Sequence, residues 1–419
     1  MGSAYSNALA GLNANAQAIN IVSGNLANLS TSGYKDQQVS FEDLVNQSLT
    51  GFSSAGSISG STIAQSTQSF TQGTLNTTNN PYDAAIQGGG FFVLQAPSGE
   101  QLFTRQGNFT VNSAGDLVTS TGQYVQGWNA ANGVLNTSGA IGNIVVPTAL
   151  TTPPVPTANI SLSANLNGNA TVGAATGTFS SPIQVYDSLG TTHTLTVTYT
   201  ETAANNWTYN VTIPSTDVTG GTGATTNVGT GTLVFGSNGL LTTPAAAAGS
   251  IPISVTGLAD GSANMTVNWN LYDSAGNATI TQFSQISSNT GSSQDGTAPG
   301  QLSTVGIGPN GEVIAAFSNG TTQNVAQVAL ASVLNPGSMQ QVSGNSYAAT
   351  SATANPVIGL PSTGARGSIT GGSLETSTVN IATEFTNLLQ YERGYQANSK
   401  VISTEDQVIQ QTIGLIANG

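Results

Sequence analysis

Two stretches at the ends of the chain repeat their apolar residues every seven positions, and most of what lies between alternates with period two. Near the N-terminus Tyr5, Leu12, Ile19 and Leu26 form one column, with Leu9 and Ala16 in a companion column and Val22 beside it. Residues 4–29 are rich in Ala, Leu, Asn and Gln and hold no proline. They predict an amphipathic helix with a coiled-coil-like seam. It is expected to stop near Gly33, after the run Asn28-Leu29-Ser30-Thr31-Ser32, which offers caps and turns. At the other end Ile381, Leu388, Tyr395, Ile402, Ile409 and Ile416 recur every seven residues, with Asn380 placed as an N-cap and Glu384 in the first turn. At 1.5 Å per residue that helix is roughly 54 Å long, more than a compact domain needs for its own core. Its companion column, Phe385, Glu392, Ser399, Asp406 and Ile413, is polar in the middle, while Val401, Val408 and Leu415 widen the stripe toward the C-terminus.

Between the helices short strands are punctuated by Gly, Asn, Asp and Ser turns such as SAGDLV, DSLGTT, GSNGLL and PNGEVI. Residues 183–213 alternate through Ile183, Val185, Leu195, Val197, Tyr199, Trp207, Tyr209, Val211 and Ile213. Nothing in this middle region supplies a third helix for a bundle. The two terminal helices are therefore expected to bury their seams against each other and against other copies of the chain, which points to self-assembly. The run TALTTPPVPT at 148–157 and the run SSNTGSSQDGTAPG at 287–300 bracket an insertion of about one domain. The fold class expected is multidomain α+β, with a coiled-coil-like stem of long terminal helices and two mainly antiparallel sandwich- or barrel-like β domains nested between them. Its divisions are a helical polymerisation domain (1–33 with 376–419), extended connecting segments (34–75 with 363–375), an inner β domain (76–147 with 295–362) and an inserted outer β domain (148–294). Segment 46–75, rich in Ser, Thr and Gly, reads as extended or loosely folded.

Composition removes most chemistry. Five Lys and Arg against 18 Asp and Glu give a net charge of −13, which excludes the clustered cations that nucleic-acid binding needs. No cysteine and a single histidine, His193, leave no disulfide, thiolate, Cys/His zinc site or ordinary Ser-His triad. His193 reads as structural or solvent-facing; Asp187 and Asp273, in DSLG and DSAG, read as turn residues that accept backbone N–H groups. Glu384, Glu405 and Asp406 read as helix-face charges. No catalytic, cofactor or metal residue is expected, and the chain is not expected to be an enzyme. Arg393 and Lys400 find no acidic residue three or four positions away, so a partner on another subunit is a candidate for each, with a solvated face the plainer alternative. No run approaches the ~20 apolar residues of a membrane span, so no membrane insertion is expected. With no Lys or Arg before Lys35, a secretory signal with its charged start is not expected.

Read as strings, the ends carry more. Gly11-Leu12, Asn25-Leu26-Ala27-Asn28 and Thr31-Ser32-Gly33-Tyr34-Lys35 resemble the N-terminal signature of the bacterial flagellar rod and hook axial proteins. Leu374-Glu375, Glu384-Phe385, Tyr395-Gln396-Ala397-Asn398-Ser399 and Val401-Ile402 resemble their C-terminal signature. Internally, FFVL at 91–94 and residues 294–336 resemble the inner β domain of the family, and VYDSLGTTHTLTVTYT resembles the outer domain of its hook members, which the shorter rod proteins lack. The resemblance implies a structural subunit that polymerises into a curved, flexible tube passing torque from rod to filament, at the cell surface and outside it. It implies no cofactor. It also implies, as partners, the subunit itself, the distal rod protein, the hook cap, the hook-filament junction protein, the hook-length control protein and the type III export apparatus. A distal-rod protein and a secreted glycan-binding β protein, the latter suggested by Trp128, Trp207 and Trp269, are the competing readings.

Overall fold

The computed structural model describes residues 2–45, 60–131 and 133–417. The chain divides into two compact units. The terminal unit comprises residues 1–148, 304–315 and 322–419; the inserted unit comprises 149–303 and 316–321.

In the terminal unit, helix α1 (Gly2–Ala27) and helix α2 (Ile381–Ala417) pair with each other. The expected N-cap of α2 is present: Asn380 Oδ1 accepts the amides of Ala382 (3.0 Å) and Thr383 (3.3 Å). Helix α1 ends six residues earlier than expected, at Ala27. Asn28 turns its side chain back onto the Gly24 carbonyl (2.9 Å), competing with the helix ladder, and the chain then turns until Gly33 adopts φ +68°. Residues on either side of 46–59 are firmly paired. Strand Gln37–Val45 runs antiparallel to Gly60–Gln68 along its full length, from Gln37↔Gln68 to Val45↔Gly60, and Phe41 meets Tyr391 of α2 edge-on at 5.7 Å. Residues 46–59 lie outside the described residues.

The β part of this unit is built on Phe91–Gln95, which pairs antiparallel with Gln101–Thr104, Tyr124–Ala131 and Leu330–Ser332. Phe91, Val93, Phe103, Trp128, Ala331 and Tyr347 form one buried cluster, and Phe70 closes it with edge contacts of 5.5 Å to Phe91 and 5.4 Å to Tyr347.

The inserted unit is a sandwich of two five-stranded sheets. One runs Thr178–Tyr186, Thr192–Ala203, Asn206–Pro214, Thr225–Phe235, Leu241–Thr243, all antiparallel. The other is centred on Asn159–Asn167, which pairs in parallel with Met265–Asn270 and Ile280–Phe283 and antiparallel with Ser288–Gln294. Period two becomes burial here. Ile183, Val185, Leu195, Val197, Tyr199, Trp207, Tyr209, Val211 and Ile213 all face the core, alongside Trp269 from the facing sheet. Each fully buried large apolar side chain contributes about 1.5–3 kcal/mol, so this alternation is what holds the unit together.

Candidate functional site

The contact between α1 and α2 is made by small residues. A Cβ added to Gly11 would lie 2.8 Å from Asn398 Nδ2, and one added to Gly394 would lie 2.5 Å from Asn15 Oδ1. The arrangement is reciprocal. Asn15 donates to the Gly11 carbonyl (2.6 Å) and Asn398 to the Gly394 carbonyl (3.0 Å), so each asparagine braces its own helix while lying over the other helix's glycine. Four residues forward on α1 is four back on α2, an antiparallel register. Close approach suits Gly and Asn, since no Cβ or long chain holds the backbones apart.

The apolar columns are thereby left largely outside this contact. Leu12, Ile19, Leu26, Leu388 and Ile402 are half-buried. Tyr5, Leu9, Ile381, Phe385, Tyr395 and Ile409 are exposed, Phe385 by 52%, and so are Leu389 and Ile413 at 56% and 60%. The side chain of Ile416 lies outside the description. On α1 the buried face is instead Ala8, Ala14, Ala18, Val22 and Asn25. Gln396 and Ala397 are exposed; Asn398 is half-buried at the crossing.

The signature residues near the other end of α1 gather into a buried polar knot. Asn25 is fully buried; its Oδ1 accepts from the Gln37 amide (3.0 Å) and from Tyr34 Oη (3.2 Å), and its Nδ2 donates to the Gln37 carbonyl (2.8 Å). Asn28 accepts from Thr31 Oγ1 (3.1 Å), while Ala27 is exposed. The Gly33 amide donates to the Glu375 carbonyl (2.7 Å), and a Cβ there would lie 2.7 Å from the Arg105 backbone, so only glycine fits. Lys35, fully buried, donates to Glu375 Oε1 (2.6 Å) and to the Thr71 carbonyl (2.6 Å). Glu375 Oε1 also accepts the Gly73 amide (2.7 Å), and Arg105 Nη1 stands 3.5 Å from Oε2. Arg105 in turn donates to the Gly88 carbonyl (2.9 Å) and covers the Phe91 ring at 5.3 Å. Burial pulls the Lys35 and Arg105 pKa values down, and Glu375 opposes that pull in both. Sequence reading selected Lys35 and Glu375 separately, as parts of two strings; their pairing, and the part of Arg105, emerge only in three dimensions.

Glu384 corrects the sequence reading. It is not a helix-face charge but is buried, because the first turn of α2 backs onto Asn25 and Tyr34. Burial raises its pKa, Asn25 opposes the rise through a hydrogen bond, and Asp36 adds to it. Burial likewise pushes the Tyr34 hydroxyl up. Among the described residues, neither Arg393 nor Lys400 makes an ion pair. In the inserted unit Asp187 Oδ1 accepts the amides of Leu189 (2.9 Å) and Thr191 (2.8 Å), and Asp273 Oδ1 those of Ala275 (2.9 Å) and Asn277 (2.8 Å), the turn chemistry expected of them.

Four family models match the chain: "Flagella basal body rod protein" at residues 6–35, "Flagellar hook protein FlgE/F/G D1 domain" at 85–172, "Flagellar basal body rod FlgEFG protein C-terminal" at 370–415, and "Flagellar basal body protein FlaE D2 domain" at 155–297. Stem, knot and nested β units are thus those of the structural proteins of the bacterial flagellar axis. Flagellar hook protein FlgE of Brucella suis is 32% identical over 97% of this chain and 97% of its own length; that of Treponema pallidum is 30% identical over 95% and 96%, and that of Escherichia coli 29% over 98% and 100%. The crystal structure of Helicobacter pylori flagellar hook protein FlgE2 shares the fold at a TM-score of 0.51 and 16% identity, covering 72% of this chain and all of that one. The chain belongs to the flagellar hook protein family. Its role is structural, as a hook subunit; full-length agreement with hook proteins favours this over the distal-rod reading.

Proposed function

We propose that copies of this chain polymerise through the apolar columns of the two terminal helices, and that the reciprocal Gly-Asn crossing presents those columns outward. The observation that carries this is the exposure of Phe385, Leu389 and Ile413 on a helix whose partner in the same chain covers its small residues instead. A row of exposed large apolar groups costs solubility in a lone chain and becomes favourable once another copy covers it. On this reading Tyr5, Leu9, Leu12, Ile19, Leu26, Ile381, Leu388, Tyr395, Ile402, Ile409 and Ile416 belong to the seam of a curved tube. The four-part division of the chain assigns polymerisation to 1–33 with 376–419. The tube works outside the cell, at the cell surface. Its partners are the distal rod, the hook cap, the hook-length control and hook-filament junction proteins, and the type III export apparatus that carries the subunit out.

Phe385→Asp with Leu389→Asp tests the reading. The double variant is expected to keep the fold of the free chain while losing sedimentable tubes and complementation of motility. Tubes of ordinary stability from that variant would sink the proposal.

A further inference from the structure

His193 is the sole basic side chain of the inserted unit. The Lys and Arg residues of the chain, Lys35, Arg105, Arg366, Arg393 and Lys400, all belong to the terminal unit. Against His193 the inserted unit sets Asp187, Glu201, Asp217, Asp260, Asp273 and Asp295. Three of these converge on the one imidazole, which is 4% exposed. Nδ1 lies 3.0 Å from Asp217 Oδ2; Nε2 lies 3.3 Å from Asp187 Oδ2 and 4.0 Å from Asp260 Oδ2. Each carboxylate comes from a different connection. Asp187 stands in the turn before Thr192–Ala203, Asp217 in the short turn Ser215–Asp217, and Asp260 in the loop between Ile251–Val255 and Met265–Asn270. One ring therefore ties together loops belonging to both sheets.

A neutral imidazole has one N–H and one lone pair, whereas the protonated ring donates from both nitrogens. With a carboxylate oxygen at hydrogen-bond reach of each nitrogen, only the protonated ring satisfies both sides; the neutral ring sets a lone pair against an anion. Burial works against the charge, but the hydrogen bonds to Asp217 and Asp187 outweigh it and hold the pKa above the ordinary value.

We infer that His193 is a proton-operated clamp: charged, it locks three loops at one end of the inserted sandwich, and neutral, it releases them, so that the unit is stiffer while the ring is charged and looser once the ring has lost its proton. Because the folded state holds this proton more tightly than the unfolded chain, the contribution of the clamp is complete below the ordinary value of 6.5 and is lost as pH rises through the higher folded value.

The full chain, with its one histidine, gives a single imidazole signal in a long-range proton–nitrogen spectrum. That signal is expected to titrate with a midpoint above 6.5, the ordinary value. The melting temperature reported by the buried Trp207 and Trp269 is expected to fall over the same range. His193→Gln should remove the pH slope and leave the unit at its low plateau. Should that variant fail to fold, Asp217→Asn keeps the ring and should move the midpoint down. A midpoint at or below 6.5, a slope that survives His193→Gln, or a midpoint that Asp217→Asn leaves in place overturns the inference. So does chelator-reversible stabilisation by Mn²⁺ or Zn²⁺ in alkaline buffer, because Asp187, His193 and Asp260 bring one donor atom each within 4.8 Å and the occupant would then be a metal ion.

Discussion

Replacing Glu375 by Ala should be the most damaging single change in the polar knot, and the charge count says why. Among the described residues Glu375 is the one carboxylate in contact with two buried cations, Lys35 at 2.6 Å and Arg105 at 3.5 Å. Its loss strands both cations, along with the Gly73 amide it accepts at 2.7 Å. Breaking a buried pair from one side costs about 3–5 kcal/mol, because the penalty of burying the remaining charge is no longer offset. Lys35→Met is a milder lesion: it leaves Glu375 facing Arg105, one charge against one. The two variants should therefore differ in a fixed order, Glu375→Ala well above Lys35→Met. Hydrogen exchange at the amides of Gly33 and Gly73, both bonded to Glu375, reads the local opening. At 1.4 kcal/mol per decade the Ala variant should accelerate these amides by roughly 10²–10⁴-fold. Equal acceleration in the two variants, or a larger effect from Lys35→Met, would refute the charge argument; unchanged exchange in both would mean that the knot adds nothing to local stability.

Gly394→Leu should loosen the stem, with overpacking of about 1–3 kcal/mol set against a helix-propensity gain of up to about 1 kcal/mol. Gly414→Ala, whose new Cβ meets nothing within 4 Å, should instead raise helix stability, and thermal melts followed by far-UV circular dichroism separate the two. For Glu384 the folded pKa is raised, so its contribution is most favourable in acid and is lost as pH rises through that value. Glu384→Gln should therefore be neutral or stabilising at neutral pH and should remove part of the acid-side slope in a denaturant titration; a clear loss of stability at neutral pH would contradict this.

Both helices, the N-cap at Asn380 and the inward faces of the inserted strands were legible because each is a periodic pattern matched by a local rule. The position of the helix–helix contact was not. Period-seven columns draw attention to Leu, Ile and Tyr, whereas the closest approach belongs to Gly11, Asn15, Gly394 and Asn398, which a hydrophobic pattern passes over. The knot was half legible: Lys35 and Glu375 stood out as motif letters, but nothing local to Glu375 says that its partner lies 340 positions away. Glu384 misled for the same reason, since an acidic residue in a first helical turn ordinarily faces water, and only the return of Asn25 and Tyr34 encloses it.

That separation of 340 positions also bears on when the stem can form. Closing so long a loop in an otherwise unfolded chain costs on the order of 5 kcal/mol in chain entropy beyond a constant, more than one ion pair returns. Folded β units shorten the effective tether, so the two helices are expected to meet only after the middle of the chain has folded. The stem then acts as a check of completeness: a chain cut short before Glu375 or α2 has no knot, no crossing and no paired helices to offer a growing tube.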